Sequence, residues 1–241
     1  MLNMKRIFRT INKAIAFSGY EIVRRSNSNQ MQGGLERLKL LGMDPKVIVD
    51  VGAASGKWTE LALNFWPQAT YKLIEPLSEQ TLALDTLKAK HQNVSYHLAV
   101  AGQSVGEVSF SITKDLDGSG VYGDNAENVR KIQVLRIDDI VAGNEAPVLI
   151  KLDTHGYEIP ILDGARKTLE RTSALVIEVY GFYVSPTGVL FHSLSDYLEK
   201  SGFRLYDIVD IMRRQKDKAF WQADAIFLRK DHPIFQDNTY W

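Results

Sequence analysis

The 241-residue chain contains no cysteine, which excludes disulfides, thiolate metal sites and a cysteine nucleophile together. It also lacks an excess of either charge. Lys plus Arg and Asp plus Glu both total 29, so no overall field draws the protein to nucleic acid or an anionic surface. No apolar run approaches the roughly 20 residues that cross a bilayer, and residues 14–17 are too short for the apolar core of a signal peptide. These absences point to a cytoplasmic protein with no nucleic-acid partner. What is present is 45% hydrophobic residues against 24% charged, enough to bury the core of one large domain.

The N-terminus departs from this even mixture. Lys5, Arg6, Arg9 and Lys13 fall on one side of a helix drawn at about 100° per residue, with Ile7, Phe8, Ile11, Ile15 and Ile22 on the other. Two uses of such a helix stay open: an apolar stripe laid on the domain, or peripheral contact of residues 1–25 with a membrane or partner. The polar run 26–32, followed by Gly33 and Gly34, reads as a linker. The chain therefore divides into a basic amphipathic helix and linker over 1–34 and a main domain over 35–241.

Beyond the linker, short apolar runs alternate with helical periodicity, the mark of strand–helix units and a largely parallel, doubly wound α/β sheet. Strands are expected at 47–51, 71–75, 94–100, 148–153, 174–179, 204–211 and 223–228, with helices near 78–90, 158–171 and 191–201. Between Gly102 and Asp139 the rhythm breaks. Val108, Phe110 and Ile112, then Ile132 and Val134, alternate like a β-hairpin insertion, and its Gly-, Asp- and Asn-rich tip at 115–128 reads as a lid or as disorder.

The segment Val47-Ile48-Val49-Asp50-Val51-Gly52-Ala53-Ala54-Ser55-Gly56 runs a buried strand into a tight small-residue turn and then a helix. A turn of this kind lets a ligand approach the backbone. Ala54 and Lys57 stand where a dinucleotide fingerprint needs its second and third glycines, and Trp58 follows Gly56-Lys57 where a P-loop needs Ser or Thr. S-adenosylmethionine needs no pyrophosphate cradle. Asp50 would face its ammonium group, Gly52, Ala53 and Gly56 would form the turn, and Glu75-Pro76 would set a carboxylate at the ribose diol. Ala99 and Val100 would flank adenine or serve as plain core.

The segments Val49-Asp50-Val51-Gly52-Ala53, Ile74-Glu75-Pro76, Leu135-Arg136-Ile137-Asp138-Asp139 and Ile150-Lys151-Leu152-Asp153-Thr154-His155-Gly156-Tyr157-Glu158, with Leu162-Asp163-Gly164-Ala165, resemble the FkbM family of methyltransferases over about 35–228. The resemblance implies a class I methyltransferase fold, a Rossmann-like and mostly parallel seven-stranded sheet with an antiparallel last strand. It also implies S-adenosylmethionine as cofactor and methylation of a hydroxyl on a sugar, glycan or related small molecule. Ala54 stands where the family often has Asn, and Thr154-His155-Gly156 where it often has Val-Glu-Gly.

In the strand order the resemblance implies, the first and fourth strands are neighbours, so the turn at 50–56 lies beside 153–157. His155, whose ordinary pKa is near neutrality, is then the candidate base, unless it only caps the next helix. Asp153 is the candidate to orient it, to bind the substrate hydroxyl or to hold the donor's amino group. Glu178 faces the same edge as a substrate residue, and Tyr157, Tyr180 and Tyr183 would stack on a sugar or merely pack. Asp153 and Glu178 have no third obvious ligand, so no metal is expected. A non-catalytic cofactor-binding scaffold and, further off, a nicotinamide oxidoreductase remain as alternatives.

Overall fold

The alternating apolar runs become an open sheet with helices on both faces. Along the chain, α1 (Leu2–Ile15) and α2 (Met31–Leu40) precede β1 (Val47–Val51), α3 (Lys57–Leu63), β2 (Thr70–Glu75), α4 (Thr81–Lys90) and β3 (Val94–Leu98). Three further strands follow: β4 (Val100–Ala101), β5 (Gly106–Ser111) and β6 (Val129–Leu135). The remainder is α5 (Ile137–Ile140), β7 (Val148–Leu152), α6 (Glu158–Asp163), α7 (Arg166–Leu169), β8 (Thr172–Tyr180), α8 (Phe191–Lys200), β9 (Phe203–Arg213) and β10 (Phe220–Arg229). This computed structural model describes residues 2–20, 22, 23, 28–114, 116, 118–121, 128–141, 143 and 145–240, with the backbone alone for 2–6.

The main sheet has seven strands in the order β3-β2-β1-β7-β8-β10-β9. All run parallel except β10, which is antiparallel to β8 and β9. Strand parity sorts the core between the two faces. Val47, Val49 and Val51 of β1, with Leu175, Ile177 and Val179 of β8, pack against Ile161, Leu162, Leu194 and Leu198 from α6 and α8. Ile48, Ala174 and Val176 point the other way, against Leu35, Leu38, Ala62, Leu84 and Leu87 from α2, α3 and α4. The β-branched residues of β1 and β7 are buried throughout, as a strand covered on both faces requires.

The expected hairpin is β5 against β6, and β4 joins it as a parallel third strand. The strand expected at 94–100 therefore ends at Leu98, and Val100 and Ala101 leave the main sheet for the small one. Residues 115, 117 and 122–127 of the hairpin tip lie outside the described residues. Of its described part, Gly120 exchanges both backbone hydrogen bonds with Ser111, at 2.8 and 3.0 Å, folding 118–121 back along β5.

Two other expectations change. Gly33 and Gly34 are not linker: they lie inside α2, and a Cβ on Gly34 would meet Ile226 Cδ1 at 2.8 Å. Helix and sheet approach closely there, and α2 is further fixed by Asp210 Oδ2 accepting Met31 N–H at 2.9 Å and by the Arg37–Asp207 ion pair. The other described part of that run, at 28–30, leads directly into α2, and 24–27 lie outside the described residues. The helix expected at 158–171 is broken into α6 and α7, and at the break Gly164 packs against the Gly102 carbonyl so closely that a Cβ would fall 1.9 Å from it.

In α1, Ile7 and Ile11 are 49% and 38% exposed, so the whole apolar stripe is not laid on the domain. The side chains of Lys5 and Arg6 lie outside the described residues. Asn12 clamps the backbone of Ile22, donating to its carbonyl and accepting its N–H, both at 2.8 Å. Among the described residues no helix is long and apolar enough to cross a membrane.

The close approach at Gly164 has a testable cost. Gly164→Ala should destabilise the fold by about 1–3 kcal/mol, the usual range for overpacking, read as a lowered midpoint in chemical denaturation.

Candidate functional site

Residue register builds the floor of the site. Asp50 of β1 and Lys151 of β7 are direct partners across the parallel pair, so their side chains emerge together on one face. Both are buried. Lys151 Nζ lies 3.5 Å from Asp50 Oδ1, 3.1 Å from Asp153 Oδ2 and 3.3 Å from Gly52 O. Burial alone pulls the ammonium's pKa down, but Asp153 and Asp50 outweigh it and hold Lys151 above its ordinary value. Asp50 Oδ2 accepts from Thr59 Oγ1 at 2.7 Å.

Above this floor the chain turns tightly. Gly52 has φ 71°, and a Cβ there would sit 2.0 Å from Asp153 O, so the ends of β1 and β7 touch backbone to backbone. Ala54 is also left-handed, with φ 45°. Its N–H donates to Glu75 Oε2 at 2.7 Å, and Leu77 N–H donates to Glu75 Oε1 at 2.9 Å. Burial pushes the Glu75 carboxyl up, and those two N–H groups pull against the shift.

A cavity of about 530 Å³ opens here, beyond the carboxyl ends of the strands where their order reverses between β1 and β7. Gly52, Glu75, Pro76, Ala99, Val100, Asp153, His155, Tyr157 and Glu178 all line it, so nine of the residues singled out from the sequence converge on one space. Five do not line it. Asp50 points below the turn to Lys151 and Thr59 and does not line the cavity, Ala53 packs in the core, Gly56 starts α3 where a Cβ would strike Leu87, Tyr180 is buried behind Glu178, and Tyr183 is 72% exposed. Asp50, Ala53 and Gly56 thus shape the turn from behind.

Opposite Glu75, three side chains from β8 and the β7–α6 turn meet. His155 Nε2 is 3.8 Å from Asp153 Oδ1 and 3.6 Å from Glu178 Oε2, and one ligand atom from each lies within 4.8 Å of the others. Asp153 is too far to orient the imidazole through a hydrogen bond. That task falls to the Ser119 carbonyl, 3.3 Å from Nδ1; because a carbonyl only accepts, Nδ1 is the donor in that contact and Nε2 is the nitrogen turned to the two carboxylates.

Glu178 accepts from Tyr180 Oη and Gln222 Nε2. Burial, reinforced by Asp153, pushes its carboxyl up to about 9. Burial also acts to raise Asp153, but Lys151, the hydrogen bond with Glu178 and His155 outweigh it and hold this carboxyl below its ordinary value. The pair therefore carries one negative charge near neutrality, held on Asp153.

The residues that sequence reasoning missed come from elsewhere in the chain. Ser119 and Val121 arrive from the insertion, Leu77 and Gln80 from after β2, and Met212 and Gln222 from β9 and β10. Lys151 had a legible signal, a lone charge within Val148-Leu149-Ile150-Lys151-Leu152, where burial demands a partner.

Removing that lysine tests the floor. Lys151→Met should cost about 3–5 kcal/mol of folding stability, as expected when a buried charge loses its partner, measured by urea denaturation at neutral pH.

In structural comparison the chain is similar to the precorrin-6y C5,15-methyltransferase of Geobacter metallireducens, at 16% identity over 80% of this chain and 84% of that one, TM-score 0.44. It is similar to an rRNA methylase of Streptococcus thermophilus, at 10% identity over 87% and 99%, TM-score 0.47. A third similar structure is a Streptococcus mutans protein described as a methyltransferase, in complex with SAH, at 12% identity over 86% and 99%, TM-score 0.48. No curated protein matches the sequence. The model of the methyltransferase FkbM domain matches residues 50–205, more than half of the chain and both walls of the cavity. The chain belongs to the FkbM family of methyltransferases, and its cofactor is S-adenosylmethionine.

Proposed function

We propose that the protein methylates a hydroxyl oxygen of a sugar, glycan or related small acceptor, and not a nucleic acid. One observation carries this reading: a single cavity holds Glu75 on one wall and the Asp153, His155 and Glu178 cluster on the other. When bound, the donor supplies an electrophilic methyl carbon on a sulfonium, open to in-line displacement by an oxygen.

Glu75 is suited to the ribose diol. A carboxylate offers about four lone-pair sites, and each Glu75 oxygen receives one backbone N–H, leaving capacity on both. Ala99, Val100 and Ala101 supply an apolar wall for the adenine, and the cavity volume lies within the usual range for small-molecule sites. A sugar hydroxyl is a poor nucleophile at neutral pH. Groups that receive its proton accelerate such reactions by about 100- to 10,000-fold, and the cluster presents the His155 imidazole and the Asp153 carboxylate to the cavity. Tyr157, at the start of α6, offers a ring beside the acceptor. A formal net charge of +0 favours a neutral acceptor over a polyanion.

The exposed Ile7 and Ile11 of α1, with Arg9 and Lys13 also exposed on that helix, support peripheral work at an inner membrane surface, where a glycolipid acceptor is presented. Sedimentation with anionic lipid vesicles should pellet the full chain, and Ile7→Asp with Ile11→Asp should leave it in the supernatant. Equal pelleting of both proteins would remove the membrane from this reading.

Calorimetry should detect S-adenosylmethionine binding and none of NAD, with Glu75→Ala weakening donor binding at least about tenfold, the worth of one charged hydrogen bond. Against a panel of glycan acceptors with labelled donor, His155→Ala should bind donor as the wild type does and lose at least about 100-fold in transfer. Donor binding without turnover on any hydroxyl acceptor would leave a non-catalytic scaffold as the better account.

A further inference from the structure

Resting on that reading, we propose that Asp153 Oδ1, His155 Nε2 and Glu178 Oε2 form a binding site for a divalent transition cation of the Mn²⁺ or Zn²⁺ kind, facing the acceptor side of the cavity. The two carboxylates that the sequence left without a third ligand acquire one in His155.

The geometry is that of ligands around a shared centre. Separations of 3.8 and 3.6 Å from Nε2 to the carboxylate oxygens are too long for hydrogen bonds. They are near the spacing of neighbouring ligand atoms, about 3.0–3.5 Å for metal bonds of about 2.0–2.2 Å. With Nδ1 turned to Ser119, Nε2 faces the two carboxyl groups, and three atoms able to ligate a cation converge.

Each ligand is also held from behind. Nδ1 donates to the Ser119 carbonyl, the outer contact that metal-binding imidazoles make to fix tautomer and ring plane. Lys151 engages Asp153 Oδ2 and leaves Oδ1 for the cation, Gln222 engages Glu178 Oε1, and Tyr180 Oη donates to Oε2, which keeps a second lone-pair direction for the cation. Four chain segments brace this small group, more than a solvated acidic patch needs.

The donor set decides the class of ion. One imidazole with two carboxylates suits first-row transition cations better than Mg²⁺ or Ca²⁺, which prefer oxygen alone. Three protein ligands leave positions open towards the cavity. A sugar hydroxyl bound there is acidified by the cation. With the cation on Nε2 and Oδ1, acidification by the cation replaces proton acceptance by those atoms: the hydroxyl releases its proton to solvent, and its oxygen pair forms the bond to the methyl carbon as the carbon–sulfur pair leaves with sulfur. Coordination through two adjacent oxygens would favour acceptors with vicinal hydroxyls.

The test is Mn²⁺ binding to chelator-stripped full-length protein without donor or acceptor, followed by loss of the free Mn²⁺ signal in electron paramagnetic resonance. One Mn²⁺ per chain is expected, weakened at least about tenfold in both His155→Ala and the near-isosteric Glu178→Gln, given that even outer contacts are worth 10- to 100-fold. Should His155→Ala fail to fold, Glu178→Gln and the wild-type stoichiometry still decide. No binding to the wild type, or equal binding to the variants, overturns the site and leaves a proton shared by Glu178 and Asp153 in its place. Calorimetry with S-adenosylmethionine on the same stripped protein separates the two readings. Donor binding without Mn²⁺ binding defeats the cation site alone, and Mn²⁺ binding without donor binding defeats the proposed function alone.

Discussion

The buried ammonium of Lys151 is the contact on which the site's construction depends. It lies between Asp50 and Asp153 and also reaches the carbonyl of Gly52. Asp50 Oδ1 has no hydrogen-bond partner of its own among the described residues, so the nearby positive charge is what makes its burial tolerable. Because one cation serves both carboxylates, the turn after β1 and the turn after β7 are held as a unit. The part of the cavity lined by Gly52 and the part lined by Asp153 and His155 are thereby held in register.

The same cation separates the acidities of its neighbours. Asp153, in contact with Lys151, is held below its ordinary range, and Glu178, buried beyond that contact and beside a negative charge, is pushed up to about 9. Two carboxyl groups at adjacent strand ends thereby take opposite protonation states, an arrangement found where acid and base roles are divided. Glu75 is handled differently. Backbone N–H groups from the left-handed turn and from Leu77 hold both of its oxygens, so its orientation comes from the main chain and not from another charge.

Much of the fold was legible because strand burial leaves a local signature. Val47 to Val51 matched residue for residue, and the hairpin of the insertion was expected from its alternation; the antiparallel last strand was expected only from the family resemblance. The breaks were not. Ala99 looks like a strand residue, yet the chain leaves the sheet there because Val100 and Ala101 pair with β6. At Gly164, between two helices, only glycine fits against Gly102, far away in sequence, and at Gly34, inside a helix, only glycine leaves room for Ile226. Asp50 was read as facing the ligand, a natural inference from its place before the turn. Its parity with Ile48 and its register with Lys151 send it to the opposite side.

By itself, the sequence determined which residue types could serve: the small-residue turn, the carboxylate of Glu75, and Asp153, His155 and Glu178 at the ends of strands. Each is a local matter of composition and period, set by how a strand alternates and where a helix can start. Only the tertiary structure decided what those groups do for one another. Whether His155 is oriented by Asp153 or by Ser119, whether Asp50 meets solvent or Lys151, and whether two carboxylates have a third neighbour all depend on contacts between distant segments. Such contacts are set by the closure of the insertion over the sheet and by strand register, which no window along the chain contains.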